Sequence, residues 1–170
     1  MQTTDELTFE GFFRTNHPRL VRAVRMWTGD PGLAEDVSQD VMITLLHYWG
    51  RYDRPELLMY RLARQQMTRT TRRHLSMEEE LDPDRPTGPA PDAGSDDLEQ
   101  AESRLDVMSA LRRLPSRQRE VIVLSTICDL DLASITEILG VSASAVKTHR
   151  ARGLQSLQKL LARRPPVAHR

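Results

Sequence analysis

Apolar residues along this chain recur every three or four positions, in two blocks separated by a stretch with little apolar content. That spacing is the period of an amphipathic helix, and no segment alternates with period two as a half-buried strand would. In the first block, about residues 5–73, Phe9, Phe12, Phe13, Leu20, Val21 and Val24 mark a first helix. Pro18 falls inside it and predicts a kink or a restart, because proline removes a backbone donor. Asp30-Pro31 predicts the next start, a cap followed by proline at the first helical position. Leu33, Val37, Val41 and Leu45 step by four and predict its core stripe, with an end near Gly50. Pro55 opens a third helix, with Leu58, Met59, Leu62 and Ala63 turned inward.

The second block, about residues 98–162, is helical again. Leu98, Ala101, Leu105, Met108 and Leu111 mark one helix, and Pro115 starts another whose apolar face is Val121, Ile122 and Leu124. A short apolar helix then stops at Gly140, and the Ser142 hydroxyl can cap a last one. In that last helix Val146, Gly153, Leu154 and Leu157 are expected to face the core. Two helices joined by a tight glycine-containing turn predict a helix-turn-helix. Between the blocks, residues 74–97 carry Pro83, Pro86, Pro89 and Pro91 among acids. Such a stretch buries too little surface to offset its ordering entropy, which predicts a flexible linker. The expected fold is all-α: a three-helix bundle and a helix-turn-helix domain joined by an acidic tether.

Charge sharpens this picture. The 170 residues sum to zero net charge, but the charges are segregated. Residues 1–73 carry eleven Arg and nine acids, residues 74–104 two Arg and ten acids, and residues 105–170 eleven Lys or Arg and five acids. A basic end and an acidic middle suggest one surface for nucleic acid and a segment that avoids or mimics it. Cys128 is alone in the apolar run Val121 to Leu132, so it is expected to be a buried filler rather than a redox switch. No apolar run approaches the roughly 18 residues of a membrane span, and no signal peptide opens the chain, so a cytoplasmic protein is expected. Five His and one Cys lack metal-ligand spacing, and no glycine loop could cradle a phosphate. Neither an enzyme nor a bound metal or cofactor is expected.

Three groups of residues could carry function. On the last helix, Ser142, Ser144, Lys147 and Thr148 lie near the N-terminal end, where a recognition helix reaches base edges. Arg150 and Arg152 further along suit phosphate contacts, which position without reading sequence. The third helix carries Arg61, Arg64, Arg69 and Arg72, and the loop before it carries Trp49, Arg51, Tyr52 and Arg54. Aromatics beside cations suit single-stranded DNA, whose bases stack while arginines hold the phosphates. Trp49 suits a core position equally well. Asp36, Gln39 and Asp40 lie at i, i+3 and i+4 and share one face of the second helix. With Ile43 and Leu46 nearby, that face could dock another protein, or it could be an ordinary solvated acidic surface.

These motifs resemble those of the bacterial sigma-70 factors of the short extracytoplasmic-function (ECF) type, which keep the regions called 2 and 4. Thr28-Gly-Asp-Pro-Gly-Leu-Ala-Glu-Asp-Val-Ser-Gln-Asp40 is similar to the family's Gly-Asp…Ala-Glu-Asp-Leu-x-Gln-Glu signature. Leu114-Pro-Ser-Arg-Gln-Arg-Glu-Val121 and Leu139-Gly-Val-Ser-Ala-Ser-Ala-Val-Lys147 are similar to its region 4 motifs. The resemblance implies that Asp36, Gln39 and Asp40 dock on the β′ coiled coil of RNA polymerase core, with the β flap as a second contact. It implies that the loop and third helix, Gln65 included, take the melted −10 strand, and that the last helix reads the −35 duplex. It implies that the acidic linker threads polymerase's RNA path, and it allows an anti-sigma factor as a further partner. The chain departs from the family at Met42, Gln65, Thr71, Ser134 and Thr136, where Phe, Asn, an aromatic, Glu and Ala are usual. A stand-alone helix-turn-helix regulator remains the alternative, although it needs neither the Asp36 face nor the aromatic loop.

Overall fold

The computed structural model describes residues 8–75 and 106–162, with only the backbone of 71–75. Every regular element among them is helical. Most of the acidic segment 74–97, and residues 98–105 of the expected fourth helix, lie outside the described residues.

Helix α1 spans Phe9–Thr28. The Thr8 hydroxyl accepts the Gly11 amide at 3.2 Å and so satisfies one free donor of the first turn. Glu10 in the first turn and Arg25 in the last complement the helix dipole. Pro18 lies inside α1 and does not divide it, contrary to the expected restart. Proline removes one bond of the ladder, and the buried contacts of Leu20, Ala23, Val24 and Trp27 beyond it keep the helix packed. Gly29 closes α1 with φ +73°, its amide bonded to the Arg25 carbonyl at 2.8 Å.

Helix α2 spans Pro31–His47, capped by the Asp30 carboxylate on the Leu33 amide at 3.0 Å. It ends slightly before the expected Gly50. Its core face holds Ala34, Val37, Ser38, Val41, Met42 and Leu45. Helix α3 spans Pro55–Leu75 and buries Leu57, Met59, Tyr60, Ala63 and Met67. Leu58 and Leu62, also expected inward, are half-buried.

In the second block, α4 is described over residues 106–112 and buries Ala110 and Leu111. Helix α5 spans Ser116–Ile122 and runs on into a π-helical turn, Val123–Ile127. Asp129, in the left-handed region at φ +53°, ends that turn. Helix α6 spans Leu132–Leu139, Gly140 at φ +65° turns the chain, and α7 spans Ala143–Ala162.

The two halves are folded against each other. One continuous apolar core joins Leu20, Trp27, Val41, Tyr60 and Ala63 of the first half to Val121, Val123, Leu124, Cys128, Ile135, Ile138 and Val146 of the second. Helix α6 packs on α3, and the π-helical turn packs on α1. Arg119 pins the seam: buried, it donates to the Trp27 carbonyl at 2.8 Å and the Leu114 carbonyl at 3.3 Å. Burial lowers the pKa of its guanidinium below the ordinary value, and Glu120 opposes that shift.

Candidate nucleic-acid interface

The turn between α1 and α2 sets the direction of α2. The Thr28 hydroxyl donates to the Val24 carbonyl at 2.9 Å and accepts the Asp30 amide at 3.2 Å. Asp30 is thereby held where its carboxylate caps α2. The outer face of α2 then carries Asp36, Gln39 and Asp40, all exposed although the halves are packed together. One turn further on, Ile43 and Leu46 are 55% and 53% exposed. Polar acceptors followed by bare aliphatic area on one helix face make a surface suited to a protein partner.

After α2 the chain turns through residues 48–54. Gly50, at φ +79°, takes a backbone conformation that costs a side chain strain. Tyr48 and Tyr52 are about half exposed and meet edge to face with centroids 6.4 Å apart. The Arg51 guanidinium lies 5.7 Å from the centre of the Tyr48 ring. Trp49 turns the other way, its ring centroid 5.3 Å from that of Phe9 and 5.1 Å from that of Phe12. Between these rings lies a cavity of about 260 Å³, lined by Phe12, Leu45, Tyr48, Trp49, Tyr52 and Leu58 among others. An aromatic-walled slot, with Asp53 in its lining and Arg51 against the Tyr48 ring, has the shape and apolar walls of a site for a planar ring.

The arginines of this surface meet the second half of the chain. Glu137 of α6 bridges two of them, accepting Arg54 Nη1 on Oε2 and Arg61 Nη2 on Oε1, each at 3.2 Å. Arg54 Nη2 also donates to the Ser134 hydroxyl at 3.1 Å. Arg64 Nε donates to Glu120 Oε1 at 3.2 Å in a half-buried pair, and Arg117 holds the other oxygen of Glu120. Gln65 and Arg69 are exposed, and the side chain of Arg72 lies outside the described residues. Sequence reasoning missed Glu137, Glu120 and Ser134 as partners of this arginine set. Nothing local signals them, since Arg54 and Glu137 are 83 positions apart.

The helix-turn-helix is built by two caps. The Asp131 carboxylate accepts the Ser134 amide at 2.7 Å and starts α6. The Ser134 hydroxyl and then its amide hold that carboxyl below the usual carboxylate range. The Ser142 hydroxyl accepts the Ala145 amide at 3.1 Å and starts α7. Ser144, Lys147, Thr148, Arg150 and Arg152 are then all exposed on α7. Val146 and Gly153 face inward, and a Cβ at Gly153 would stand 3.0 Å from Ile122 Cγ1. Leu154, expected in the core, is 46% exposed. It follows Gly153 by one residue, which on a helix is a 100° rotation off the buried stripe.

No helix among the described residues is long and apolar enough to cross a membrane. The same residues hold no group of three or more His, Cys, Asp or Glu fit for a metal ion.

Comparison with known proteins agrees with this geometry. Residues 12–76 match the family model for sigma-70 region 2, and residues 104–157 match that for sigma-70 region 4. The chain is 32% identical over 157 residues to the RNA polymerase sigma-E factor of Streptomyces avermitilis, covering 91% of this chain and 86% of that one. It is 29% identical over 162 residues to the ECF RNA polymerase sigma factor SigM of Mycobacterium tuberculosis, covering 92% and 79%. Its fold is similar to that of the sigma factor RpoE from Bartonella quintana, solved in complex with the anti-sigma factor NepR. The TM-score is 0.71 at 19% identity, over 92% of this chain and 98% of that one. It is also similar to CnrH in complex with the cytosolic domain of CnrY, with TM-score 0.65 at 22% identity, over 91% and 87%.

Proposed function

The chain belongs to the sigma-70 family as an RNA polymerase sigma factor of the ECF type, and from that membership we propose how its residues divide the work of promoter-specific initiation. Asp36, Gln39 and Asp40, with Ile43 and Leu46 behind them, dock on the β′ coiled coil of core polymerase. Ser144, Lys147 and Thr148 read base edges of the −35 duplex, while Ser142, Arg150 and Arg152 hold its backbone. The slot between Tyr48, Trp49 and Tyr52 takes a base of the opened −10 strand. Arg51, Arg54, Arg61, Arg64, Gln65, Arg69 and Arg72 hold the strand itself. In this reading Trp49 is a wall of the slot, because its ring is packed on Phe9 and Phe12.

Energetics support a partnership rather than solitary action. Each opened base-pair step costs about 1.4 kcal/mol of stacking, so five or six steps cost roughly 7–8 kcal/mol. A small helical chain with zero net charge supplies little of that alone. The protein therefore performs no chemistry of its own, works in the cytoplasm where polymerase is found, and directs core enzyme to its promoters. The β flap is the second polymerase contact, and promoter DNA is the ligand. The solved relatives are bound to an anti-sigma factor in one case and to a cytosolic protein domain in the other. An anti-sigma factor is the further partner proposed for this chain.

The observation that carries this reading is the α2 face, which stays open while the halves are closed on each other. A duplex-binding regulator has no use for it. The test is capture of core polymerase by tagged protein, and transcription from a dependent promoter. We expect the pair Asp36→Arg and Gln39→Ala to lose capture by at least about tenfold, the scale of one to two lost charge-assisted contacts. Duplex affinity should stay unchanged. Intact capture and transcription in that variant would refute the docking assignment.

A further inference from the structure

A larger cavity, of about 390 Å³, opens where α1, the start of α3 and α6 meet. Sites for small molecules measure about 300–1,000 Å³. Its walls divide by chemistry. Phe12, Leu57 and Leu130 are apolar, whereas Asn16, Asp53 and Glu56 bring oxygen acceptors. Arg54 is the one cation of the lining, and its charge is already matched, with Nη1 on Glu137 and Nη2 on the Ser134 hydroxyl. The Asp53 carboxylate makes no hydrogen bond or ion pair among the described residues. Glu56 meets only Arg19, at 3.6 Å across half-exposed surface, where such a pair is weak.

Asn16 adds an independent observation. It is 8% exposed, a polar side chain inside the core face of α1. Its Nδ2 donates to the Phe12 carbonyl at 3.0 Å. That bond fixes the orientation of the amide, since the reversed amide would set oxygen against oxygen. Oδ1 then accepts no hydrogen bond among the described residues. It is not sealed inside the protein either, so it is reached from the cavity that Asn16 lines. An acceptor held this way, almost out of water, is satisfied only by a donor brought into the cavity.

We propose that this cavity binds a small aliphatic polyamine, with ammonium groups at Asp53, Glu56 and the Asn16 Oδ1 and the methylene stem along Phe12, Leu57 and Leu130. An ammonium group carries three donors and no acceptor, which matches a wall of acceptors. Its stem packs on apolar surface while the charged end stays polar. Two carboxylates repel an anion. A metal ion lacks a ligand set, since the described residues hold no group of three or more His, Cys, Asp or Glu fit for one. The site goes beyond the promoter assignments, because Asn16, Asp53 and Glu56 belong to none of them. Leu130 and Ser134 come from the second half and the other walls from the first, so an occupied cavity stabilises the folded chain.

The experiment titrates the full chain with putrescine and with spermidine, and with butanediol as the uncharged analogue. Neither DNA nor polymerase is present, so the outcome is independent of the promoter assignments. Salt at about 0.15 M screens loose attraction to exposed charge. The chains are wild type, Asp53→Asn, Glu56→Gln and the double variant, exchanges that keep side-chain size at exposed or half-exposed positions. Calorimetry should show saturable one-to-one binding of the amines to wild type and none of butanediol. Each single variant should weaken it by about two- to fivefold, the scale of one exposed charge, and the double variant by about tenfold. Amide resonances of Gly11, Asn16 and Leu130 should shift with occupancy. Residues 74–104, with ten acids, are the competing attractor. Equal affinity in wild type and double variant, or shifts confined to that segment, overturns the site. Failure to saturate at millimolar amine overturns it as well.

Discussion

At the residue scale, side chains at the seam between the halves have the sharpest consequences. Cys128 ordinarily titrates near 9.0, and burial in the folded chain moves it to about 11. A group that holds its proton more tightly when folded stabilises the fold below the unfolded pKa and loses that contribution as pH rises through the folded one. Tyr60, whose pKa burial also raises, acts in the same direction. Thermal stability should therefore fall between about pH 9 and pH 11, by about 2–3 kcal/mol from Cys128 alone. Melting curves across that range should fall more gently for Cys128→Ala, and equal slopes would remove the assigned cause. The sequence signalled burial of Cys128 through the apolar run around it, but not the first-half residues that bury it. Residue-level periodicity has the same reach elsewhere. It found Val146 and Gly153, and misjudged Leu154, because adjacent residues at the edge of an apolar stripe differ by a 100° rotation that spacing alone does not resolve.

At the scale of elements, caps were the most legible feature. Asp30-Pro31 and Ser142 begin α2 and α7 where the residue types required, since a side-chain oxygen before a first turn is a local solution to a local need. Ser142→Ala should lower stability by about 0.5–2 kcal/mol. Amide exchange of the first turn of α7 should accelerate with it, and duplex affinity should fall as that end frays. An unchanged exchange pattern would mean that packing of Val146 alone holds the turn. The passage of α1 through Pro18 was not legible, because the contacts that hold the helix together there come from α2, α3 and the second half. The π-helical turn at Val123–Ile127 was equally hidden. The turn and Cys128 after it lie in the core shared with the first half, and that packing is tertiary.

At the scale of the whole molecule, the sequence spoke clearly of two helical blocks and of what each could bind. It was silent on how they sit together. The seam joins positions more than 50 residues apart, such as Arg64 with Glu120 and Arg54 with Glu137, and no local pattern pairs them. The apolar residues at the seam read locally as filler for their own block. What emerges is a chain on which the faces proposed for docking, on α2, and for duplex, on α7, stay open, while Arg54, Arg61 and Arg64 are paired with carboxylates of the second half. Run-off transcription from genomic promoter fragments tests that central claim most directly. Core polymerase with this protein should give discrete, promoter-dependent transcripts, and these should vanish with Asp36→Arg and Gln39→Ala. Transcripts identical to those of core enzyme alone, on every fragment, would contradict it.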